Sequence, residues 1–223
     1  MSNLLDIRNV DLGYEPENLI IKNININISQ KDFIIINGSN GSGKSSFLKL
    51  LYMRLLPYRG SFSFFGKKIN NISKKDIIDI RKKIGVILQD NYLIPYFSVS
   101  QNIELAIQIQ EKKNINIKNR VQEIANWVGL GNLLMNKVNN LSEGEKQKLV
   151  IARSLVCRPK LLIADEPMNH LDNKTSQKLF FLLSSINQLG TTIILVDKNS
   201  DRLNDKNQRY FEISNQEIVE VKR

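Results

Sequence analysis

Apolar and polar residues alternate near the start of the chain, most clearly where Ile24, Ile26 and Ile28 are separated by asparagines. An alternation with a period of two puts apolar side chains on one face of a strand and polar side chains on the other. The segment up to Ser29 therefore predicts antiparallel strands with one face in solvent. Residues 209–221 alternate in a similar way, and we expect a hairpin there.

Four other segments are apolar without alternation, which predicts strands that are buried on both faces. They are residues 33–36, 84–88, 161–164 and 191–196. Buried strands of this kind are typical of a parallel sheet that lies between layers of helices. A further strand is expected at 61–65.

Helical spacing of apolar residues appears between these runs. The sequence predicts helices at 45–56, which the proline and glycine just after it end, and at 74–83 and 174–188. From residue 98 to residue 156 the spacing stays helical, which gives at least three helices and no strand among them.

The order of these elements predicts one α/β unit with a mixed central sheet, an antiparallel β subdomain and an inserted α-helical subdomain. We assign residues 1–88 and 159–223 to the core with its antiparallel β subdomain, and about 89–158 to the helical subdomain. A chain of 223 residues, of which 42% are hydrophobic and 24% charged, is long enough to bury such a core.

A glycine-rich loop stands between the buried strand 33–36 and the helix that follows it. The loop consists of Gly38, Ser39, Asn40, Gly41, Ser42, Gly43, Lys44 and Ser45. A loop of this kind turns successive backbone N–H groups inward around a polyphosphate, while Lys44 reaches the outer phosphates and the Ser45 hydroxyl ligates Mg²⁺. A chance glycine turn is the alternative, and the strand before and helix after the loop favour the phosphate site.

Two adjacent carboxylates, Asp165 and Glu166, follow the apolar run 161–164. Ligands bind at the carboxyl ends of strands in open parallel sheets. Asp165 is therefore a candidate to hold Mg²⁺ through its water shell, and Glu166 a candidate to orient and polarise an attacking water. The alternative is a solvated acidic pair at a strand end. The upstream phosphate loop favours the catalytic interpretation.

Ser142 and Glu145 have the spacing of a capping box, which is sufficient to begin an ordinary helix. Gly144 lies in the first turn of that helix, where a glycine costs about 1 kcal/mol relative to alanine. Close approach of the backbone to a phosphate would explain this glycine.

Composition and net charge add little to these predictions. The net charge of +10 suits nucleic acid or an anionic membrane, but lysine, asparagine and isoleucine are abundant throughout, which favours a general compositional bias. No apolar run approaches the roughly twenty residues of a membrane-spanning helix, and the first residues do not resemble a secretory signal. We therefore expect a cytoplasmic chain. The single cysteine, Cys157, is expected in a helix and suits a reducing compartment.

With these motifs in order, the chain resembles the ATP-binding subunit of an ABC transporter over essentially its whole length. Residues 141–145 resemble that family's signature, whose commonest form is Leu-Ser-Gly-Gly-Gln. Gln89 matches the glutamine that touches Mg²⁺ and couples the core to the helical subdomain, which makes it a candidate catalytic residue as well. Tyr14 matches the aromatic residue that stacks on adenine. Residues 169–172 match the D-loop.

The resemblance implies a P-loop NTPase of ABC type with ATP and Mg²⁺ as cofactors. Its nucleotide-binding residues would include Ser46 beside the loop, and its metal ligands Ser45, Gln89 and Asp165. It also implies that two copies pack head to tail when ATP binds. In that dimer Ser142 and Gly144 of each copy cap the γ-phosphate held by the other copy's loop, and hydrolysis separates the two.

Residues 81–90 and 93–99 are similar to the small ATPases of the cell-division (FtsE) and lipoprotein-releasing (LolD, MacB) group. This similarity implies an integral membrane, permease-like partner and a place on the inner face of the cell membrane. We expect the apolar stretch 93–97 to be exposed and to receive that partner, with packing inside the helical subdomain as the alternative. No specific nucleic acid partner is expected.

Three features depart from the family pattern. Lys198 stands at the position of the switch histidine and is a candidate catalytic residue, but an ammonium lacks the imidazole's acceptor nitrogen, so we expect slow hydrolysis. Glu143 and Glu145 replace a glycine and a glutamine of the signature. A carboxylate near the partner's ATP would weaken the closed dimer unless it points away. Met168 stands where the family usually has a threonine or a serine, a change without a mechanistic explanation. The only histidine, His170, is interpreted as an interface or solvated residue.

Three functions stay open at this stage. The first is a motor subunit in which ATP closes a dimer and hydrolysis reopens it, driving or gating a membrane partner. The second is a DNA-maintenance ATPase of the same superfamily, which the positive charge suits but which usually carries long coiled-coil or zinc-bearing insertions that this chain lacks. The third, suggested by Lys198, is an ATP-dependent binding switch with little turnover.

Overall fold

The structure is a computed structural model, and it describes residues 3–15, 17–70, 72–110, 116–169, 171–198 and 208–222. The strands, in chain order, are β1 Asn3–Glu15, β2 Asn18–Ser29, β3 Phe33–Gly38, β4 Arg59–Phe64, β5 Lys67–Lys68, β6 Ile84–Ile87, β7 Leu161–Asp165, β8 Thr192–Val196, β9 Arg209–Ser214 and β10 Glu217–Val221. The α-helices are α1 Lys44–Leu51, α2 Lys74–Arg81, α3 Val99–Ile109, α4 Ile117–Val128, α5 Glu143–Leu155 and α6 Asn173–Gln188.

The strands form two sheets. The larger has the order β10-β9-β3-β8-β7-β6, in which the four central pairings are parallel and β10 pairs with β9 in the antiparallel sense. The smaller sheet, β2-β1-β4-β5, is antiparallel throughout. These sheets confirm the predicted α/β fold, with its mixed central sheet and antiparallel β part.

Strand β3 explains how the larger sheet is buried on both faces. Phe33 and Ile35 pack into one apolar cluster with residues of α3, α4, α5 and α6. Ile34 and Ile36 pack into a second cluster with α1 and the antiparallel sheet. The continuous apolar run 33–36 is therefore required because alternate side chains fill two different cores. We call α3, α4 and α5 together the helical layer.

Burial alternates along β2, where Ile24, Ile26 and Ile28 are buried and the asparagines between them are exposed. The hairpin expected at 209–221 is formed by β9 and β10. Among the described residues, no helix combines the length and the apolar character that crossing a membrane requires.

Two local predictions are wrong. The helix expected at 45–56 ends at Leu51, because Met53 adopts a left-handed backbone with φ of 58° and the N–H groups of Arg54 and Leu55 both turn back to the carbonyl of Lys49. Cys157, expected within a helix, lies beyond the end of α5 and is buried there.

Candidate functional site

The glycine-rich loop joins β3 to α1, and its glycines are required by close contacts. A Cβ atom added to Gly38 would lie 2.6 Å from the carbonyl oxygen of Ile213 and 2.6 Å from Oγ of Ser42. Gly43 has φ of 108°, and a Cβ there would lie 2.8 Å from a methyl group of Ile20. A residue with a side chain does not fit either position, so the loop can keep this tight path only with glycine.

Lys44, the first residue of α1, is almost completely buried beneath the loop. Its Nζ donates hydrogen bonds to the carbonyl oxygens of Gly38 and Ser39, both at 2.7 Å. Burial lowers the pKa of this ammonium below its usual value, and the nearby charge of Glu166 opposes that effect. The loop thus curls around a cation that has only neutral oxygens as hydrogen-bond partners in the described part of the chain.

The end of β7 brings a carboxylate to the same edge of the sheet. Oγ of Ser45 donates to Oδ2 of Asp165 over 3.2 Å, although the two residues are 120 positions apart. The contact follows from the topology, because β3, β8 and β7 are parallel neighbours whose carboxyl ends meet at one edge.

Asp165 is only 9% exposed, and burial raises the pKa of its carboxyl group, an effect that the hydrogen bond from Ser45 opposes. A carboxylate in this setting gains from a cation that replaces its lost hydration. A carboxylate and a hydroxyl at this separation are also the hard oxygen ligands that Mg²⁺ accepts, together with phosphate oxygens and water. The side chains at this edge therefore fit a magnesium ion.

Glu166 follows directly and has a strained backbone, with φ of 46°. Its N–H donates to the carbonyl of Val196 at the end of β8. Its Oε2 accepts from Nζ of Lys198 at 3.0 Å and from Nδ2 of Asn169 at 3.3 Å. Glu166 has only a tenth of its side chain exposed, whereas 42% of the Lys198 side chain is exposed. Two of the three residues that the sequence nominated for catalysis, Glu166 and Lys198, are thus an ion pair.

An open cavity of about 440 Å³ lies above this edge. It is lined by Asn37, Gly38, Ser39, Asn40, Lys198 and Glu212. Sequence reasoning missed Asn37 and Glu212. They lie opposite each other in the β3–β9 pairing, and no spacing along the chain connects two strands so far apart.

Two other nominated residues lie outside this group of contacts. Tyr14 is mostly exposed near the end of β1, and its hydroxyl accepts from Nζ of Lys49 at 3.0 Å. The hydrogen bonds from Lys49 and Ser46 lower the pKa of the Tyr14 phenol. Gln89 is exposed just beyond β6, and its side chain forms no hydrogen bond with the described residues.

The signature residues begin α5 and form the predicted capping box. Ser142 is the N-cap, and its N–H and hydroxyl both donate to Oε2 of Glu145 at 2.8 Å. These hydrogen bonds lower the pKa of Glu145. Glu143 points elsewhere and pairs with Lys146 at 2.6 Å. Of the two signature carboxylates, Glu145 therefore lies against Ser142 and Glu143 does not.

Gly144 has open space around it. A Cβ atom added there would meet no atom of the described residues within 4 Å, and its backbone φ is not in the left-handed region. The fold of the described residues therefore gives no internal reason for a glycine at this position.

The apolar stretch 93–97 divides between the two interpretations, because its first two residues are partly buried and its last three are exposed. Leu93 packs against the core beneath the helical layer, and Ile94 is half-buried. Tyr96, Phe97 and Met135 are exposed. The segments that contain them are neighbours, because residues 97–100 hydrogen-bond to residues 134–138. His170 lies outside the described residues.

Comparison with known proteins gives a consistent result. Residues 21–169 match the family described as "ABC transporter". The chain is 36% identical to the cell division ATP-binding protein FtsE of Streptococcus pneumoniae serotype 2 over 216 residues, which cover 97% of this chain and 94% of that protein. It is 37% identical to the lipoprotein-releasing system ATP-binding protein LolD of Wigglesworthia glossinidia brevipalpis, covering 95% and 94% respectively.

The fold also matches a solved structure. The dimeric post-hydrolysis state of the ATP-binding cassette MJ0796, bound to ADP and Pi, superposes with a TM-score of 0.86 at 29% identity and covers 98% of both chains.

Proposed function

The chain belongs to the ABC transporter family and is one of its ATP-binding, ATP-hydrolysing subunits, and from this we propose that two copies close around ATP to drive or gate an integral membrane partner. The observation that carries the proposal is the contact between Ser45 and Asp165 beside the Lys198–Glu166 pair. It joins the phosphate loop to the acidic strand end at one edge of the sheet.

We infer that the triphosphate binds along the loop from Gly38 to Ser46. The backbone N–H groups of the loop would hold the phosphates. Lys44 already lies beneath the loop with its ammonium on two carbonyl oxygens, and it would donate to the outer phosphates instead. The adenine would lie on the exposed ring of Tyr14.

Ser45, Asp165 and Gln89 would hold Mg²⁺. Bound there, the metal would neutralise the negative charge that develops on the phosphate oxygens. The contact between Ser45 and Asp165 supports this assignment, and burial, which raises the pKa of Asp165, is a cost that a cation would offset.

Glu166 would polarise the attacking water, and Lys198 affects how freely it can do so. In the structure Oε2 of Glu166 accepts from the Lys198 ammonium, so one carboxylate oxygen is engaged. An ammonium that remains there competes with the water for the carboxylate, and we therefore expect slow turnover. This ion pair is the observation that favours a binding switch with little turnover as the second candidate function.

The second copy would supply Ser142 and Gly144 to the γ-phosphate. A Cβ atom added to Gly144 would find no neighbour within 4 Å among the described residues, so a requirement for glycine is best explained by a surface that approaches from outside the chain. The similarity to a dimeric cassette structure supports this arrangement.

The membrane partner would contact the exposed residues Tyr96, Phe97 and Met135. Aromatic residues and methionine are enriched at protein interfaces. Backbone hydrogen bonds join the segment that contains Tyr96 and Phe97 to the segment that contains Met135. With the FtsE and LolD relatives, this supports a peripheral position on the inner face of the cell membrane. The DNA-maintenance alternative is not favoured, because these relatives match nearly the whole chain.

The test is an ATPase assay on the purified chain with MgATP, with Glu166→Gln as control. We expect phosphate release that this substitution reduces by about 10²–10⁴-fold, the usual cost of removing a general base, while MgATP binding is kept. Turnover equal to that of Glu166→Gln would favour the non-hydrolysing switch. No binding of MgATP by either chain would contradict the nucleotide site itself.

A further inference from the structure

Arg153, near the end of α5, makes a connection that the nucleotide site does not use. Its Nη1 donates to the carbonyl oxygen of Tyr92 and its Nη2 to that of Asn91, both at 2.7 Å. Burial lowers the pKa of this guanidinium, and within the described residues no carboxylate forms an ion pair with it. Arg153 is only partly buried, and its two hydrogen bonds place both carbonyl groups on one guanidinium.

Asn102 of α3 holds the same stretch of chain a few residues later. It is fully buried, and its Oδ1 accepts from the N–H of Ile94 while its Nδ2 donates to the carbonyls of Ile94 and Ser98. We call residues 90–98 the linker segment. Five hydrogen bonds from two side chains therefore attach the linker segment to the helical layer.

Among the described residues, no hydrogen bond joins the linker segment to the central sheet, although Leu93 packs into the apolar cluster that includes sheet residues. Its link to β6 runs through residues 88 and 89, and the side chain of Gln89 forms no hydrogen bond with the described residues. Tyr92 adopts φ of 43°, a left-handed turn that lets two successive carbonyl groups point at one guanidinium. The linker segment is thus a part of the helical layer, with Gln89 at its junction to the core.

Helix α5 connects Arg153, which contacts the linker segment, to Ser142 of the signature. Ser142 caps the start of the helix, and Arg153 lies eleven residues further along, a distance of about 16 Å at 1.5 Å per residue. A continuous helix of this length transmits a displacement of one end to the other because its backbone hydrogen bonds resist bending.

We propose that Arg153 is a positioning residue that makes the linker segment and Ser142 move as one body. Binding of MgATP, sensed at Gln89 and at Ser142, would then alter both ends of α5 together. The inference rests on the proposed function, since it assumes that nucleotide binds at the loop.

The experiment compares Arg153→Lys with Arg120→Lys, both made in the Glu166→Gln chain so that ATP stays bound. Lysine keeps the charge but loses the planar fork that reaches two carbonyl groups. Arg120 is the matched control, because it also belongs to the helical layer and donates to a carbonyl, that of Val156, but does not touch the linker segment.

Hydrogen exchange with and without MgATP is the first measurement. In the Glu166→Gln chain and in the Arg120→Lys control, we expect MgATP to slow exchange at residues 91–98 and at the start of α5 together. In Arg153→Lys we expect the slowing at the start of α5 to persist while that at 91–98 is lost. The inference would be overturned if MgATP slowed exchange at residues 91–98 equally in the Arg153→Lys and Arg120→Lys chains. It would also be overturned if the Glu166→Gln chain bound MgATP without any slowing at residues 91–98.

Turnover is the second measurement, made with Glu166 restored. Since Arg153 touches no proposed nucleotide contact, we expect Arg153→Lys to leave the Kd for MgATP within about twofold and to lower kcat about tenfold, a pattern typical of lost positioning. An unchanged kcat would contradict the inference. If Arg153→Lys does not fold, Arg153→Gln removes the charge and still breaks the two-carbonyl contact. A chain that binds no MgATP would instead refute the proposed function.

Discussion

The phosphate loop, residues 38–45, and the signature turn, residues 142–145, both lead into helices, yet they are built in different ways. The phosphate loop depends on tertiary structure: Ser45 reaches Asp165 across 120 residues, and the glycines fit against Ile213 and Ile20 from other strands. The signature turn depends on its own sequence, since Ser142 and Glu145 satisfy each other three residues apart. Both regions are largely open to solvent, but the phosphate loop encloses the buried Lys44, whereas none of residues 142–145 is buried.

This difference assigns separate tasks to the two regions. The sheet edge already carries a cation, a hydroxyl and two carboxylates, so it can bind a nucleotide within one chain. The side chains of the signature turn form hydrogen bonds only within their own helix in the described residues, and Gly144 faces open space. Substitutions at the edge should therefore affect nucleotide binding by a single chain, whereas substitutions at the turn should affect turnover only through the contact between two chains.

Among the substitutions that test this separation, Ser142→Ala should have the largest effect. Losing a hydrogen bond to a charged phosphate costs about 1.5–3 kcal/mol, so we expect turnover to fall about ten- to a hundredfold in a steady-state ATPase assay. The Kd for MgATP in the single chain should not change. Glu143→Gln, which alters a neighbouring residue that pairs with Lys146, is the control and should act weakly. A matching loss of single-chain MgATP affinity would break the separation between the two regions.

A smaller effect, in the opposite direction, is expected from Lys198→His. Imidazole removes the ammonium from Oε2 of Glu166 and restores an acceptor nitrogen. We expect turnover to rise about three- to tenfold, well below the roughly 10²–10⁴-fold that a complete proton-transfer group contributes, because Glu166 is present in both chains. Lys198→Arg keeps the positive charge beside the carboxylate and should not give this gain. Equal or lower turnover for the histidine variant would argue that the ion pair assists hydrolysis.

Asp165→Asn should stabilise the chain while harming its function. Burial raises the pKa of Asp165, so this carboxyl group favours folding most when protonated, and that contribution is lost as the pH rises through its raised pKa. At neutral pH the ionised group is unfavourable, and asparagine removes the charge. We expect the nucleotide-free chain to unfold about 2–4 °C higher, the shift that ~1 kcal/mol produces at this size. An unchanged or lower Tm would contradict this account of the edge.

The smallest effect concerns pH at the signature turn. Hydrogen bonds from Ser142 lower the pKa of Glu145, so its contribution is complete above the ordinary carboxyl pKa and is lost as the pH falls through the lowered value. Thermal unfolding between about pH 3 and pH 7 should therefore show a shallower acid-side decline for Glu145→Gln than for the native chain. Glu143→Gln should leave that slope closer to native. Identical slopes for both variants would exclude this role for the capping box.

The sequence was sufficient for features that are encoded locally. The capping box at Ser142 and the alternation in β2 follow from residues a few positions apart, and both appear as expected. The early end of α1 could not be predicted, because the left-handed turn at Met53 has no glycine or asparagine to signal it. Contacts between distant segments could not be predicted from the sequence either, including the hydrogen bonds from Arg153 to the linker segment.

At the nucleotide site the sequence supplied residue types but not their pairing. Lys198 and Glu166 were nominated separately, and only the parallel arrangement of β7 and β8 brings them within 3.0 Å. Asn169, which also contacts Glu166, belongs to a motif that was noted for another reason. A buried asparagine such as Asn102, in an otherwise apolar helical stripe, is a signal that could have been used.

The central claim is that ATP joins two copies of the chain through the loop of one and the signature turn of the other. The most direct measurement is the molar mass of the Glu166→Gln chain in solution, by sedimentation or light scattering, with and without saturating MgATP. We expect the mass of one chain without nucleotide and the mass of two chains with saturating MgATP. In a chain that carries both Glu166→Gln and Ser142→Ala, we expect the two-chain species to be lost. A chain that binds MgATP and keeps the mass of a single copy would contradict it.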